Sequence, residues 1–105
     1  MHYVVIGEHS AEVCPTSNAT TKALMLEIGP QIPKIAEQND VKIVAGPLVN
    51  HEHTTVVIVE TDQPENIDSF ISQSRLNQWN SLRIIPSRTM QEGMKEIAEG
   101  APSLF

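Results

Sequence analysis

The stretch "VKIVAGPLVNHEHTTVVIVET", residues 41–61, decides the fold of this chain. Its two runs rich in Val and Ile, Val41–Val49 and His53–Thr61, are typical of β-strands. Only Asn50-His51-Glu52 separates them, which is short enough for an antiparallel hairpin. Tyr3–Glu8 and Ser81–Pro86 have the same β-branched character, so we predict four strands.

Helices are predicted in the segments between and after these strands. Pro30 and Pro33 should split the first helix into two pieces, because each proline removes an amide donor. Asp62 is the predicted cap of the second helix, and the third should end near Gly100. Each segment repeats apolar residues at spacings of three and four, as one face of a helix does: Leu24, Ile28, Ile32 and Ile35; Ile67, Phe70 and Ile71; Met90, Met94 and Ile97.

The resulting order, β-α-β-β-α-β-α, predicts an α+β fold in a single domain over residues 1–105. This order of elements resembles a ferredoxin-like sandwich with an antiparallel four-stranded sheet and a C-terminal helix. Gly7 and Gly46-Pro47 fall inside predicted strands and indicate a bend or bulge, or, beside Gly7, room for a ligand.

Composition narrows the classes of partner. The chain has 40% hydrophobic and 19% charged residues and a net charge of -6, with its seven Lys and Arg scattered along it. This charge disfavours nucleic acid, and the apolar runs are far shorter than the ~20 residues that span a bilayer. A single cysteine and the lack of an apolar leader before Tyr3 favour a cytoplasmic location.

The strands are apolar on both faces, as in "TVVIVE" and "YVVI". A sheet with one face in water should alternate apolar and polar residues, and the two main helices can cover only one face. A second copy of the chain, packed sheet to sheet, would cover the other face, which predicts a homodimer. The alternative is that the third helix and Leu104-Phe105 fold over that face within one chain.

In length, element order and two-sided strands the chain resembles the dimeric α/β-barrel superfamily, especially its small uncharacterised members. Gln78-Trp79-Asn80 before the last strand and Pro86 closing it add to the resemblance. The resemblance implies two ferredoxin-like protomers that pair into a barrel. Members include cofactor-free monooxygenases, muconolactone isomerase-like enzymes, and chlorite dismutase-like and haem-degrading proteins, so the fold does not choose a function.

The topology brings chemically active side chains to one end of the sheet, which we call the hairpin rim. The corner after the first strand carries His9 and Cys14, and the hairpin carries His51 and His53. Imidazole and thiolate are ligands of zinc, copper and iron, and three protein ligands with one open position form a catalytic metal site. His9, Cys14 and either His51 or His53 are therefore candidate ligands, with Glu8 or Glu52 as a further ligand or base. The alternative is that the hairpin histidines are solvated turn residues.

Cys14 also has a second interpretation, as a reactive thiol. It lies before a helix start and near His9, and both favour the thiolate. Cys14 and His9 are then the candidate catalytic pair, in a nucleophilic or redox-sensing role. The alternative is a small apolar plug under the corner.

A pocket for a non-covalent ligand is a third possibility at the same rim. Ser17, Asn18, Asn50, Trp79 and Asn80 are the candidate ligand-binding residues, and Phe70, Met25 and Leu48 are candidates to line the pocket with Trp79. Asparagine is also common in turns and caps, Thr16, Ser17 or Asn18 can cap the first helix, and apolar residues at helical spacing are usually core. The sequence thus predicts a small-molecule enzyme, monooxygenase- or isomerase-like. The alternatives are a non-catalytic ligand- or metal-binding module, a thiol redox-sensing module, or an assembly protein.

Overall fold

The fold is an antiparallel sheet with helices on one face. The computed structural model describes residues 1–100, and its order, β-α-β-β-α-β and then α4, confirms the predicted α+β, ferredoxin-like fold. The strands are β1 (His2–Glu8), β2 (Lys42–Val49), β3 (Thr54–Glu60) and β4 (Ser81–Ser87). The helices are α1 (Ala19–Ile28), α2 (Ile32–Gln38), α3 (Pro64–Ser74) and α4 (Met90–Glu99), with 3-10 turns at Gly29–Gln31 and Leu76–Gln78.

The sheet order is β2-β3-β1-β4, and every pairing is antiparallel. Glu8, the last residue of β1, lies opposite Thr54 of β3 and opposite Ser81 of β4. The end of β1, the start of β3 and the start of β4 therefore meet at one end of the sheet. This is the hairpin rim, where the candidate site is located.

The two glycine positions in the strands have different structural reasons. At Gly46 the backbone has φ 87°, and a Cβ would lie 2.6 Å from the carbonyl oxygen of Val56. Only glycine fits there, and the register of β2 shifts on both sides of Ala45. At Gly7 the register is continuous, and the space of the missing side chain is taken by Asn80.

The core lies between the sheet and the helices that cover its inner face. Tyr3 and Val5 of β1 and Val57 and Val59 of β3 are buried on that face because alternate residues of a strand point to the same side. They pack against buried apolar residues of α2 and α3, namely Ile32, Ile35, Ala36, Ile67, Phe70 and Ile71.

The helix boundaries follow from local chemistry. Asn18 caps α1, its Oδ1 accepting the backbone N–H of Thr21 at 3.0 Å. The 3-10 turn at Gly29–Gln31 divides the first helical segment into α1 and α2, as the prolines predict. The residue that caps α3 is Gln63, without a side-chain bond, and not Asp62. Pro64 follows it and has no N–H to satisfy, so the helix starts without a side-chain acceptor.

The outer face of the sheet, away from α1 to α3, carries apolar residues that are not fully buried. Leu48 is exposed, and the others are half-buried: Val4, Ile6, Val56, Ile58 and Ile85. Met90, Met94 and Ile97 of α4 are exposed, Met90 at 81%, so α4 does not bury its apolar face on this sheet. The predicted Leu104-Phe105 cover lies outside the described residues. Within residues 1–100, no helix has the length and apolar character to cross a membrane.

Candidate metal centre

The corner after β1 brings His9 next to the hairpin. The backbone N–H of His9 donates to the carbonyl oxygen of His53 at 3.1 Å, which continues the ladder between β1 and β3. The two histidines thus lie side by side although they are 44 residues apart in the chain. Their rings meet edge to face, with centroids 5.3 Å apart.

The corner loop then turns Cys14 towards the same place. The backbone N–H groups of Ser17 and Asn18 donate to the carbonyl oxygen of Cys14 at 3.0 and 2.8 Å. The Ser17 hydroxyl donates to the carbonyl oxygen of Ala11, and the Asn18 amide nitrogen donates to that of Glu12 at 3.0 Å. Ser17 and Asn18 therefore hold the loop, while their role in ligand binding stays a prediction.

The hairpin turn positions His53 and leaves His51 outside. Asn50 Oδ1 accepts the N–H groups of Glu52 and Thr54 at 2.9 and 3.3 Å, so this asparagine builds the turn. His53 has φ 58°, a left-handed conformation that is uncommon for a residue with a side chain and recurs at functional sites. His51 and Glu52 are exposed in the turn.

Three of the four predicted metal ligands come together. His9, Cys14 and His53 each offer a ligand atom, and these atoms all lie within 4.8 Å of one another. Cys14 is 7% exposed, and both histidines are half-buried. His51 does not belong to this cluster. The arrangement can hold a metal ion through two imidazole nitrogens and one sulfur.

Asn80 fixes which nitrogen of His9 is free. The Asn80 Nδ2 group donates to the carbonyl oxygen of Leu76 at 3.1 Å, which can only accept, so the Oδ1 atom faces His9. That oxygen lies 3.0 Å from His9 Nδ1, which must therefore carry the proton. In the neutral ring Nε2 then has a free lone pair, the form in which histidine binds a metal.

Hydrogen bonds around the Cys14 sulfur favour its thiolate form. It lies 3.0 Å from the Thr16 hydroxyl. Hydrogen bonds from the Thr16 side chain and backbone, together with His53, hold the pKa of Cys14 below its ordinary value, although burial acts in the opposite direction. The thiolate is the form of cysteine that coordinates a metal, so this shift favours a metal site.

Buried polar atoms without a partner concentrate at this rim. Among residues 1–100 six such side-chain atoms occur, and two of them, on Arg88 and Glu96, belong to an ion pair of 2.9 Å. The other four are at the rim: His9 Nε2, His53 Nδ1, Thr55 Oγ1 and Trp79 Nε1. Buried polar groups in proteins nearly always have a protein or water partner, so the concentration of four such atoms makes this rim the candidate site.

A cavity of about 510 Å³ opens beside the cluster. Trp79 forms one wall, and its ring lies edge to face with His9 at a centroid distance of 4.8 Å. Of the four residues predicted to line a pocket, only Trp79 lines this one; Phe70 is fully buried in the core, and Leu48 is exposed. Its lining residues are Glu8, His9, Ser10, Val13, Gln78, Trp79, Asn80 and Ser81.

Sequence reasoning did not find the roles of Thr16, Thr55 and Gly7 at this site. Thr55 is an inner-face residue of an apolar strand, where threonine is common for packing alone. The close approach of Gly7 to Asn80 joins residues that are 73 positions apart, so no local pattern shows it. The one signal available for Thr55 was its position in the predicted strand His53–Thr61, where it shares a face with His53.

No protein-family model matches this chain, and a comparison with curated proteins finds no match. A ferredoxin-like fold supports many unrelated functions, so the fold alone does not identify the function of this protein. The geometry of the hairpin rim is the more specific indication of function.

Proposed function

We propose that this protein binds a divalent transition metal ion, with zinc preferred over copper or iron, through His9 Nε2, Cys14 Sγ and His53 Nδ1. The observation that carries the proposal is that one ligand atom from each of these residues lies within 4.8 Å of the others. His9 Nε2 and His53 Nδ1 are also buried and have no partner within residues 1–100, whereas the turn histidine His51 is exposed. Zinc is preferred because its filled d shell imposes no geometry on a three-ligand site.

The distances are compatible with coordination after a small closure. Zinc bonds of ~2.0 Å to nitrogen and ~2.3 Å to sulfur place tetrahedral ligand atoms about 3.5 Å apart. The upper limit of 4.8 Å requires the side chains to approach by about 1 Å. Cys14 lies on a loop and His53 at a turn, so small shifts of these two segments can supply this movement while Asn80 holds His9.

The three protein ligands leave a fourth position, and the adjoining cavity favours a working site over a purely structural one. Structural zinc sites are closed by four protein ligands, whereas catalytic sites keep one position open. We infer that the protein is an enzyme acting on a small molecule at this rim. A non-catalytic metal carrier or a thiol redox sensor using Cys14 is the alternative, favoured by the lowered pKa of that thiol.

Cobalt loading of the full chain tests the metal site. Co²⁺ takes the place of zinc and gives a visible spectrum that reports tetrahedral geometry and a near-ultraviolet band from thiolate. We expect one ion per chain with both features. Cys14→Ser should remove the thiolate band, and His9→Ala or His53→Ala should weaken binding beyond the 10–100-fold typical of residues that only orient a ligand.

His51→Ala is the matched control, because His51 is an exposed turn histidine two residues from His53 and outside the cluster. It should bind cobalt as the wild type does. The proposal is wrong if His51→Ala and His53→Ala lose cobalt affinity equally, or if the cobalt spectrum lacks the thiolate band. Zinc, copper and iron compared in the same competition assay test the metal preference.

We also propose that two copies pair through the outer face of the sheet, in the manner of a dimeric α/β barrel. The half-buried outer-face residues and the exposed Met90, Met94 and Ile97 of α4 form apolar surface on one chain, and a second copy supplies its complement. In a twofold dimer each contact occurs twice, so α4 of one copy can cover the sheet of the other while its own sheet is covered in return.

Light scattering on the purified chain tests the dimer, with an expected mass of twice 11.6 kDa. Leu48 is an outer-face residue opposite Val56 and 61% exposed, so Leu48→Asp should give monomers. Leu26 on α1 is 70% exposed and serves as the control, since Leu26→Asp should stay dimeric. A monomeric wild type contradicts the proposal.

A further inference from the structure

We propose that the fourth position of this site receives a small monoanion of the carboxylate class, held by hydrogen bonds from Trp79 Nε1 and Thr55 Oγ1. The inference rests on the metal site proposed above and adds the class of ligand. Its basis is that the rim holds two kinds of unpartnered buried atoms. The histidine nitrogens suit a cation, whereas the Trp79 and Thr55 groups can serve a ligand of that cation.

Trp79 supplies the clearer signal. An indole N–H can only donate, so it needs an acceptor and cannot itself be a metal ligand. The Trp79 side chain is 92% buried, being 8% exposed, and its Nε1 has no acceptor among the described residues 1–100. The same ring contacts His9, whose Nε2 is a proposed metal ligand, and a ligand of that metal would be an acceptor for this N–H.

Thr55 supplies the second donor at the rim. It is 4% exposed and lies opposite Gly7, whose side-chain space is filled by Asn80, the residue that contacts His9. Its hydroxyl also has no partner within residues 1–100. An anion bound at the metal would accept from both groups, since a carboxylate has two oxygens and about four acceptor sites.

Charge selects a monoanion. A divalent ion with one thiolate and two neutral imidazoles has a net charge of +1, and an imidazole that binds the ion through Nε2 while its Nδ1–H donates to Asn80 is neutral. One negative charge therefore neutralises the site. Glu8 at the edge of the same cavity and the net charge of -6 on the chain repel ligands of higher negative charge.

A cavity adjoins the proposed metal site at His9 and Trp79. Its volume of about 510 Å³ is within the range of small-molecule pockets, and Trp79 and His9 line it together. Ser10, Gln78 and Ser81 add polar groups at the wall, which can bind the rest of a small polar molecule.

Anion titration of the cobalt-loaded chain tests this inference at constant pH, with acetate and azide as probes. We expect saturable 1:1 changes in the cobalt visible spectrum. Thr55→Val keeps the shape but removes the hydroxyl, and Trp79→Phe removes the N–H. Each should weaken both anions by about 10-fold or more, the effect of one lost hydrogen bond to a charged group. Thr55→Ser should restore binding, and exposed Thr20→Val is the control.

The two proposals fail separately. If cobalt binds without dependence on His9 and Cys14, the metal site itself is wrong, and this inference is wrong with it. If cobalt binds as proposed but the anions leave its spectrum unchanged, or if Thr55→Val and Trp79→Phe bind them like the wild type, only the anion site is overturned. Loss of cobalt affinity in both variants would make them metal-positioning residues and would also overturn it.

Discussion

Asn80 Oδ1 accepts a hydrogen bond from His9 Nδ1 at 3.0 Å, across 71 residues of sequence. The same amide donates to the carbonyl oxygen of Leu76 at 3.1 Å, so its orientation is fixed from two sides. Asn80 is 8% exposed and immediately precedes β4. Through this contact the start of β4 sets the tautomer and the direction of a proposed metal ligand on the corner after β1.

Asn80→Ala should lower zinc affinity without removing a ligand. His9 would lose the group that orients its ring, and loss of such partners typically costs 10–100-fold in metal affinity. Competition with a chromophoric chelator measures the change. Substitution of the exposed Asn77, in the nearby 3-10 turn, by Ala is the control. Wild-type zinc affinity in the Asn80 variant would show that the contact does not serve the site.

Gly7→Ala should impair both stability and zinc binding. A Cβ at Gly7 would lie 2.9 Å from Asn80 Oδ1 and 3.0 Å from Asn80 Cβ, so the whole Asn80 side chain must move. Overpacking of this kind costs about 1–3 kcal/mol in the free energy of unfolding. Urea unfolding and chelator competition measure the two effects.

Gly29→Ala is the matched control for that experiment. A Cβ at Gly29 meets nothing within 4 Å, and φ is -48°, which alanine adopts freely. The free energy of unfolding should stay equal or rise by about 0.5–1 kcal/mol. Equal effects of the two glycine substitutions would refute the role given to Gly7.

Cobalt or copper should quench the fluorescence of Trp79, which is the only tryptophan of the chain. Its ring centroid lies 4.8 Å from that of His9. An ion with a partly filled d shell bound to His9 is therefore close enough to quench the excited state of the indole. Zinc has a filled d shell and should leave most of the emission. Quenching that persists in the His9→Ala and Cys14→Ser variants would place the ion elsewhere.

Acid should weaken the start of α4 through Glu92. The pKa of Glu92 is held below its ordinary value by hydrogen bonds from the Thr89 side chain and backbone, with smaller effects of His2 and Arg88. A carboxyl whose folded pKa is depressed stabilises the fold above its unfolded pKa of about 4.3, and this contribution is lost as pH falls through the folded value. The protection factors of the α4 amides, which correct for the intrinsic pH dependence of exchange, should therefore fall at acidic pH.

Glu92→Gln isolates this effect from the other carboxyl groups. Glutamine can replace glutamate in the Thr89 capping box, but it does not titrate. The variant should lose less protection than the wild type over the same pH range. Identical pH profiles for the two proteins would show that another group controls the helix.

Much of the fold could be predicted because it depends on local patterns. The Val and Ile runs around Asn50-His51-Glu52 specify a hairpin, and the structure has strands Lys42–Val49 and Thr54–Glu60 within a residue of those bounds. Prolines divide α1 from α2 because a missing N–H acts on its own turn. The cap of α3 was predicted one residue too early, since Asp62 and Gln63 both precede Pro64 and only the backbone conformation decides between them.

The candidate site could be predicted in part from the sequence and in part only from the tertiary structure. The order of the elements was enough to predict that His9, Cys14 and the hairpin histidines share one rim, because antiparallel strands bring their ends together. It did not distinguish His51 from His53, which differ by a turn conformation and not by residue type. The left-handed backbone at His53 and its place beside His9 settle which one belongs to the cluster.

The sequence by itself determined the elements, their order and the chemical nature of the rim, since hydrophobic period and turn chemistry act over a few residues. Only the tertiary structure decided that Asn80 fills the space above Gly7 and orients His9, and that Thr55 and Trp79 are buried without partners within residues 1–100. The physical reason is that the contacts of these residues span 48 to 73 positions of sequence, through sheet register and close packing that no local pattern encodes.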